Sequence, residues 1–323
     1  MSLKKSKQPI MGLAAMLVIL YHLLPMPRSQ DLPSVILRYV LMTAYVGVDI
    51  FFFMSGYMAF FSNTDNYFKY IKRKFLRIYP LFIICCISGL AMGKVTVDKL
   101  LPTLLGLELI KSGGGSFLWF IPALMMIYMI LPFYVRLIKK QGRNKALIIA
   151  VIIWGLAMTL LEKATDNHSV NILLCRLPVV FIGGYLAQCE GKISMSKKLC
   201  IGIPLLIAGL FLTWKYGFMQ RTNYIFTYSF YVLAIPHSLG LLLISDAIFS
   251  SFEPKVLNFI GNLSLELYCL QMLLGSLLVT KLMPITRNAD ITFLISFAIL
   301  LGLSYIIKFL TRQITKVGYK TTC

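Results

Sequence analysis

Residues Ile10–Pro25 read IMGLAAMLVILYHLLP, and Tyr21 and His22 carry the only polar side chains in them. With its flanks the stretch approaches the roughly 20 apolar residues that a helix needs to cross a bilayer. Lys4, Lys5 and Lys7 precede it, and no small-residue cleavage site follows, so it reads as a retained span rather than a leader. An imidazole inside hydrocarbon costs free energy and is by default a functional-site hypothesis. The plain alternative is a packing histidine bonded to a backbone carbonyl.

The rest of the chain continues in this character. Of 323 residues, 58% are hydrophobic and 14% are charged, against roughly 25% charged in a soluble domain. The fold class is therefore all-α and polytopic, because in lipid an open chain satisfies its backbone only as helix. Ten segments qualify as spans, near 9–26, 40–62, 78–96, 117–136, 146–162, 170–188, 199–215, 225–246, 259–281 and 290–311. With the N-terminus inside, the cytoplasmic connectors hold more Lys and Arg than the outer ones by roughly two to one, which places both termini in the cytoplasm. The net charge of +20 is thus assigned to topology and anionic membrane lipids, not to nucleic acid. Connectors are short, so residues 1–323 read as one membrane domain with no fused soluble domain. The longest outer connector, about 97–116, reads as a surface helix followed by a hinge at Gly113–Gly115. The seven cysteines lie in or beside apolar runs without a CxxC pair and read as small buried hydrophobes, with no metal site.

Polar groups inside spans mark where chemistry is to be sought. His22 falls in the outer half of span 1 and Asp49, in GVDIFFFMSGY, in the outer-to-middle part of span 2. A carboxylate on one ring nitrogen would fix the tautomer of a general base; otherwise Asp49 braces the start of span 2. Gly12, Ala14 and Ala15 make span 1 thin enough for close helix packing. In KRKFLRIYP, residues 72–80, Lys74 and Arg77 are three apart and share a helix face if the helix begins early. Such a pair, with Arg73, can hold cofactor phosphates, or simply orient the chain. Arg176 must pair or line a polar cavity; it could contact substrate or close an ion pair with Asp49 or Glu266. Trp119 belongs to the interfacial aromatic belt or stacks on a sugar ring. Glu266 and Gln271 read as internal hydrogen-bond partners, with Glu266 and Tyr57 also candidate substrate contacts. His237 follows Pro236 and can satisfy the carbonyl that the proline releases.

Taken in order, GLAAMLVILYH, GVDIFFFMSGY, KRKFLRIYP, LWFIPALMMIYMILPFY, RLPVVFIGGYL and GNLSLELYCLQ resemble the acyltransferase 3 family of integral-membrane acyltransferases over nearly the whole chain. The resemblance implies transfer of an acyl group, usually acetyl, from cytoplasmic acyl-CoA as cosubstrate, with no bound cofactor. The implied acceptor is a hydroxyl of a cell-envelope or exported glycan, free or lipid-linked, at the cytoplasmic membrane. It puts the essential histidine at His22, the acidic residue at Asp49, and the basic pair, commonly two arginines, at Lys74 and Arg77. Members often carry charged residues where this chain has Gln8 and Met11, and a histidine where it has Gln271.

The resulting expectation is that acyl-CoA docks with its phosphates near Arg73, Lys74 and Arg77, and that His22, oriented by Asp49, deprotonates the acceptor hydroxyl. An acyl-histidine relay is a variant of the same scheme. Two readings of another class use the same residues. One is a transporter or flippase for a lipid-linked glycan, and the other is a membrane sensor that keeps the fold without the chemistry.

Overall fold

The computed structural model describes residues 3–27, 29–111, 118–164, 168–220 and 230–320, and among them there are helices and no strand. Among the described residues nine helical stretches are long and apolar enough to cross a membrane. The first apolar segment forms a shorter helix, α1 (Lys7–Leu23, 17 residues). Its length is about 26 Å, close to the hydrocarbon thickness. Together these occupy the ten expected segments.

The second segment is two helices, α2 (Leu32–Thr43) and α3 (Val46–Phe60), joined by a tight turn. Asp31 begins α2 by accepting the Ser34 N–H at 3.0 Å, so helix starts well before the span expected from residue 40. The same device lengthens the third segment. Asn66 accepts the Lys69 N–H at 2.9 Å, and α4 runs from Tyr67 to Ala91. The basic motif of residues 72–80 is therefore helical throughout. In place of one surface helix there are two short ones, α5 (Val97–Leu104) and α6 (Glu108–Lys111); the expected glycine hinge lies outside the described residues. The bundle continues with α7 (Phe120–Gln141), α8 (Arg143–Ala164), α9 (His168–Ala187) and α10 (Met195–Leu212). It ends with α11 (Phe230–Leu233), α12 (Ile235–Phe249), α13 (Lys255–Asn262), α14 (Ser264–Leu270), α15 (Ser276–Thr286) and α16 (Ala289–Lys320). A π-helical turn, Gln271–Gly275, joins α14 to α15, and Lys94 Nζ donates to the Met272 carbonyl in it at 2.8 Å.

Small residues hold the bundle together, because lipid supplies no hydrophobic drive between helices and close contact must come from shape. A Cβ on Gly56 would overlap the Val180 carbonyl, and one on Gly183 the Phe53 carbonyl, so α3 and α9 touch backbone to backbone. Gly12 and Gly261 do the same for α1 and α13, and Gly209 and Gly240 for α10 and α12. Gly47 lets α3 meet α1 at Ala14. Along α1 no side chain from Lys7 to Leu20 is exposed, since α2, α3, α12, α13 and α14 surround it. By contrast α8 and α10 present Ile148, Ile152, Leu156, Ile203 and Ile207 outward, a surface suited to hydrocarbon. Lys198, counted in sequence among the connector charges, is instead buried in α10 and bonded to Asp246 of α12 at 2.9 Å. The two lie near opposite termini of neighbouring helices, and burial forces them to pair.

Candidate functional site

Two groups of polar residues lie toward opposite ends of the bundle. The first is built on the α3–α9 contact. Arg176 Nη1 donates to Asp49 Oδ1 at 2.8 Å, and the two side chains are 2% and 0% exposed. The guanidinium lies 4.3 Å from the Tyr231 ring centre, 5.7 Å from that of Tyr45 and 6.0 Å from that of Trp119. Arg176 is therefore enclosed by an acid and three aromatic faces, which accounts for a charge at that depth. Trp119, beginning α7, joins this box through its ring, and Phe120 beside it packs on Phe52.

His22 does not complete the arrangement expected for it. Among the described residues it makes no hydrogen bond; its ring meets Tyr21 edge-on at 5.0 Å, and Tyr21 meets Tyr45 at 6.2 Å. Asp49 has gone to Arg176 for a geometric reason. Gly47 is the α3 residue that faces α1, and Asp49, two positions on, points about 200° away around the helix. It shares a face with Gly56, two turns further, and that face meets α9. The imidazole itself is exposed, although it continues the stripe of buried Ala15, Val18 and Ile19. This exposure is confined to the last turn of α1, at Tyr21 and His22, beyond the stretch that the neighbouring helices cover.

The second group surrounds a cavity of about 670 Å³ at the end of the bundle where α1 begins. Its wall carries Arg73, Lys74 and Arg77 of α4 and Lys308 and Arg312 of α16, against a single carboxylate, Glu266 of α14. A smaller space of about 100 Å³ adjoins it, sharing Lys74, Arg77, Ser264 and Leu265. There the lining turns apolar, with Met11, Phe51, Met54, Ile78, Phe120 and Tyr268, and Lys7 is the further cation. Lys74 is steadied by the Tyr128 ring, 4.6 Å from its ammonium, and Arg73 by the Asn63 carbonyl at 2.9 Å. Five cations converging on one open space repel one another, and an anion of several charges relieves that repulsion. Chemically, the arrangement suits a ligand with a polyanionic head and an uncharged arm.

Of the residues expected to act together, Arg73, Lys74 and Arg77 do converge. Glu266 joins them at the basic cavity and stands apart from Arg176 and Trp119. Tyr57 is fully buried, stacked on Phe53 at 6.0 Å and beside Phe61 at 5.4 Å, and it lines neither space. Among the described residues His237 is buried with Nδ1 lacking a partner, and Gln271 with its whole amide lacking one, so neither makes there the internal bond expected of it. Cys85, Cys86, Cys175 and Cys269 are buried as expected, whereas Cys200 is exposed. Lys308, Arg312 and Lys7 escaped the reading of the sequence as cavity residues. Their charges resemble any others flanking a span, and nothing in their spacing shows that α16 and α1 converge on α4.

The family model described as an acyltransferase domain matches residues 12–312, and the chain belongs to that family. It is a multi-pass membrane protein of the acyltransferase class. No curated protein and no solved structure matches it.

Proposed function

We propose that this member of the acyltransferase family is an O-acyltransferase of the cytoplasmic membrane. It would move an acyl group, acetyl in the first instance, from acyl-CoA to a hydroxyl of a cell-envelope or exported glycan. The observation that carries the proposal is the cationic cavity narrowing into an apolar passage. Coenzyme A has a matching form, with a phosphorylated nucleotide head and a long uncharged arm ending in the thioester. The excess of basic residues at this end of the bundle assigns it to the cytoplasm, where acyl-CoA is available.

In this scheme Arg73, Lys74, Arg77, Lys308 and Arg312 hold the head. To reach His22 the arm must part the packed face of α1 between Met11 and His22, where Ala15 is buried. Met11 and His22 are eleven residues apart on nearly the same face, about 16 Å along the axis, a distance that an extended pantetheine arm covers. His22 takes the proton from the acceptor hydroxyl as its oxygen attacks the thioester carbonyl. As the C–S bond breaks, the imidazolium returns that proton to the departing sulfur. The enclosed Asp49–Arg176 pair acts as a brace that fixes α3 against α9; Trp119, whose ring borders Arg176, offers a stacking surface for a sugar.

The test is transfer of labelled acetyl from acetyl-CoA to envelope polysaccharide by membranes containing the chain, together with proton NMR of the polymer from a strain lacking it. Label should pass to the polymer, and the deletion strain should make a polymer of normal sugar composition without acetyl signals. Loss of the entire polymer would favour transport of a lipid-linked glycan, and transfer independent of acetyl-CoA would remove the proposed donor.

A further inference from the structure

The cations around the basic cavity are not equivalent. Arg73, Lys308 and Arg312 line only the wide part, Lys74 and Arg77 line both parts, and Lys7 lines only the narrow apolar part. Three cations thus line only the larger space, two line both, and Lys7 lines only the smaller one, together with Met11, Met54 and Phe120. Lys7 is half-buried, and among the described residues it has no hydrogen bond or ion pair. The charges it feels are those of Lys74 and Arg77, both of its own sign. A half-buried ammonium beside two like charges, in a largely apolar space with no carboxylate on its wall, favours an anion that enters from outside the chain. Among the described residues Lys7 is the cation that lines only the apolar part, so an anion beside it adjoins the uncharged stretch of the ligand.

We infer that Lys7 binds the phosphate adjoining the uncharged arm of the donor, while Lys308 and its neighbours at the mouth hold the phosphate most distant from that arm. This rests on the donor reading of the cavity and adds to it an order of contacts and a binding residue contributed by α1. Lys7 lines a space shared with residues of α3, α4, α7 and α14, so the phosphate assigned to it is that of a ligand entering the cavity, not of a lipid headgroup on the outer surface of the bundle.

The experiment measures binding of acetyl-CoA and of its 3′-dephospho analogue to the purified full chain in neutral detergent, with and without added anionic lipid. Lys7→Met should weaken both ligands by the same factor, on the order of tenfold, as expected for loss of one charge-assisted contact. Lys7→Arg should retain most of the affinity. Lys308→Met should weaken acetyl-CoA but leave the analogue bound as by the unaltered chain. Thermal unfolding of each variant, unchanged from the parent, separates these effects from misfolding. If Lys7→Met binds both ligands normally, or if its defect disappears with the analogue, the inference is overturned while the donor reading stands. If anionic lipid abolishes the difference between Lys7→Met and the parent, Lys7 serves a headgroup instead. If the unaltered chain binds neither ligand, the donor reading itself has failed.

Discussion

Asp49 Oδ1 accepts a hydrogen bond from Arg176 Nη1 at 2.8 Å in a setting where both side chains are essentially inaccessible. The pair joins two parallel helices, and one heptad further along each of them stand Gly56 and Gly183, where the backbones touch. Register and charge thus specify the same alignment. Removing one partner strands the other in a low-dielectric interior. Asp49→Leu or Arg176→Leu alone should destabilise the protein by about 3–5 kcal/mol, whereas the double replacement should regain most of that loss. Thermal unfolding of the four proteins in one detergent decides it; additive losses would show that the bond contributes little.

Among the described residues His22 makes no hydrogen bond, and it stands exposed at the end of α1, so the fold does not depend on it. His22→Ala should shift stability by less than about 1 kcal/mol and lower acyl transfer by about a hundredfold or more. Retained transfer at normal expression would remove the general-base role.

The α3–α9 contact leaves no room for a side chain at Gly56. Gly56→Leu should yield no monodisperse protein on size-exclusion chromatography. Gly155→Leu is the control, since nothing lies within 4 Å of a Cβ there, and it should behave as the parent. Equal behaviour of the two variants would show that close approach at Gly56 is dispensable.

Gln271 begins the π-helical turn with its amide buried and without a partner on either atom. Such a group costs about 1–3 kcal/mol relative to a satisfied or apolar one. Gln271→Leu should therefore raise the unfolding temperature. Loss of acyl transfer in the stabilised variant would mark the amide as a substrate contact kept at the expense of stability, whereas a lower unfolding temperature would show that the amide has a bonding partner after all.

The membrane class, the ten apolar segments and the basic motif of residues 72–80 were legible in sequence, because hydrocarbon sets segment length and composition directly. The ends of segments were less so. Asp31 and Asn66 extend helices into stretches whose polarity suggested connectors, and a cap acts through one hydrogen bond that hydropathy does not register. The partnership of Asp49 was left open for a similar reason. His22 and Arg176 were both chemically acceptable partners, and the choice depends on which way α3 is turned.

What the chain dictates by itself is where it crosses the bilayer and which few polar groups must be accommodated there, since each of these follows from the transfer cost of single residues. Which of those groups meet is fixed only when Gly12, Gly47, Gly56 and Gly183 set the rotation and register of neighbouring helices. That placement sends Asp49 to Arg176, leaves His22 exposed in the last turn of α1, and gathers Lys7, Lys74, Arg77 and Lys308 from three distant segments around two adjoining spaces. Helix rotation is a property of packed pairs, and no single segment encodes it.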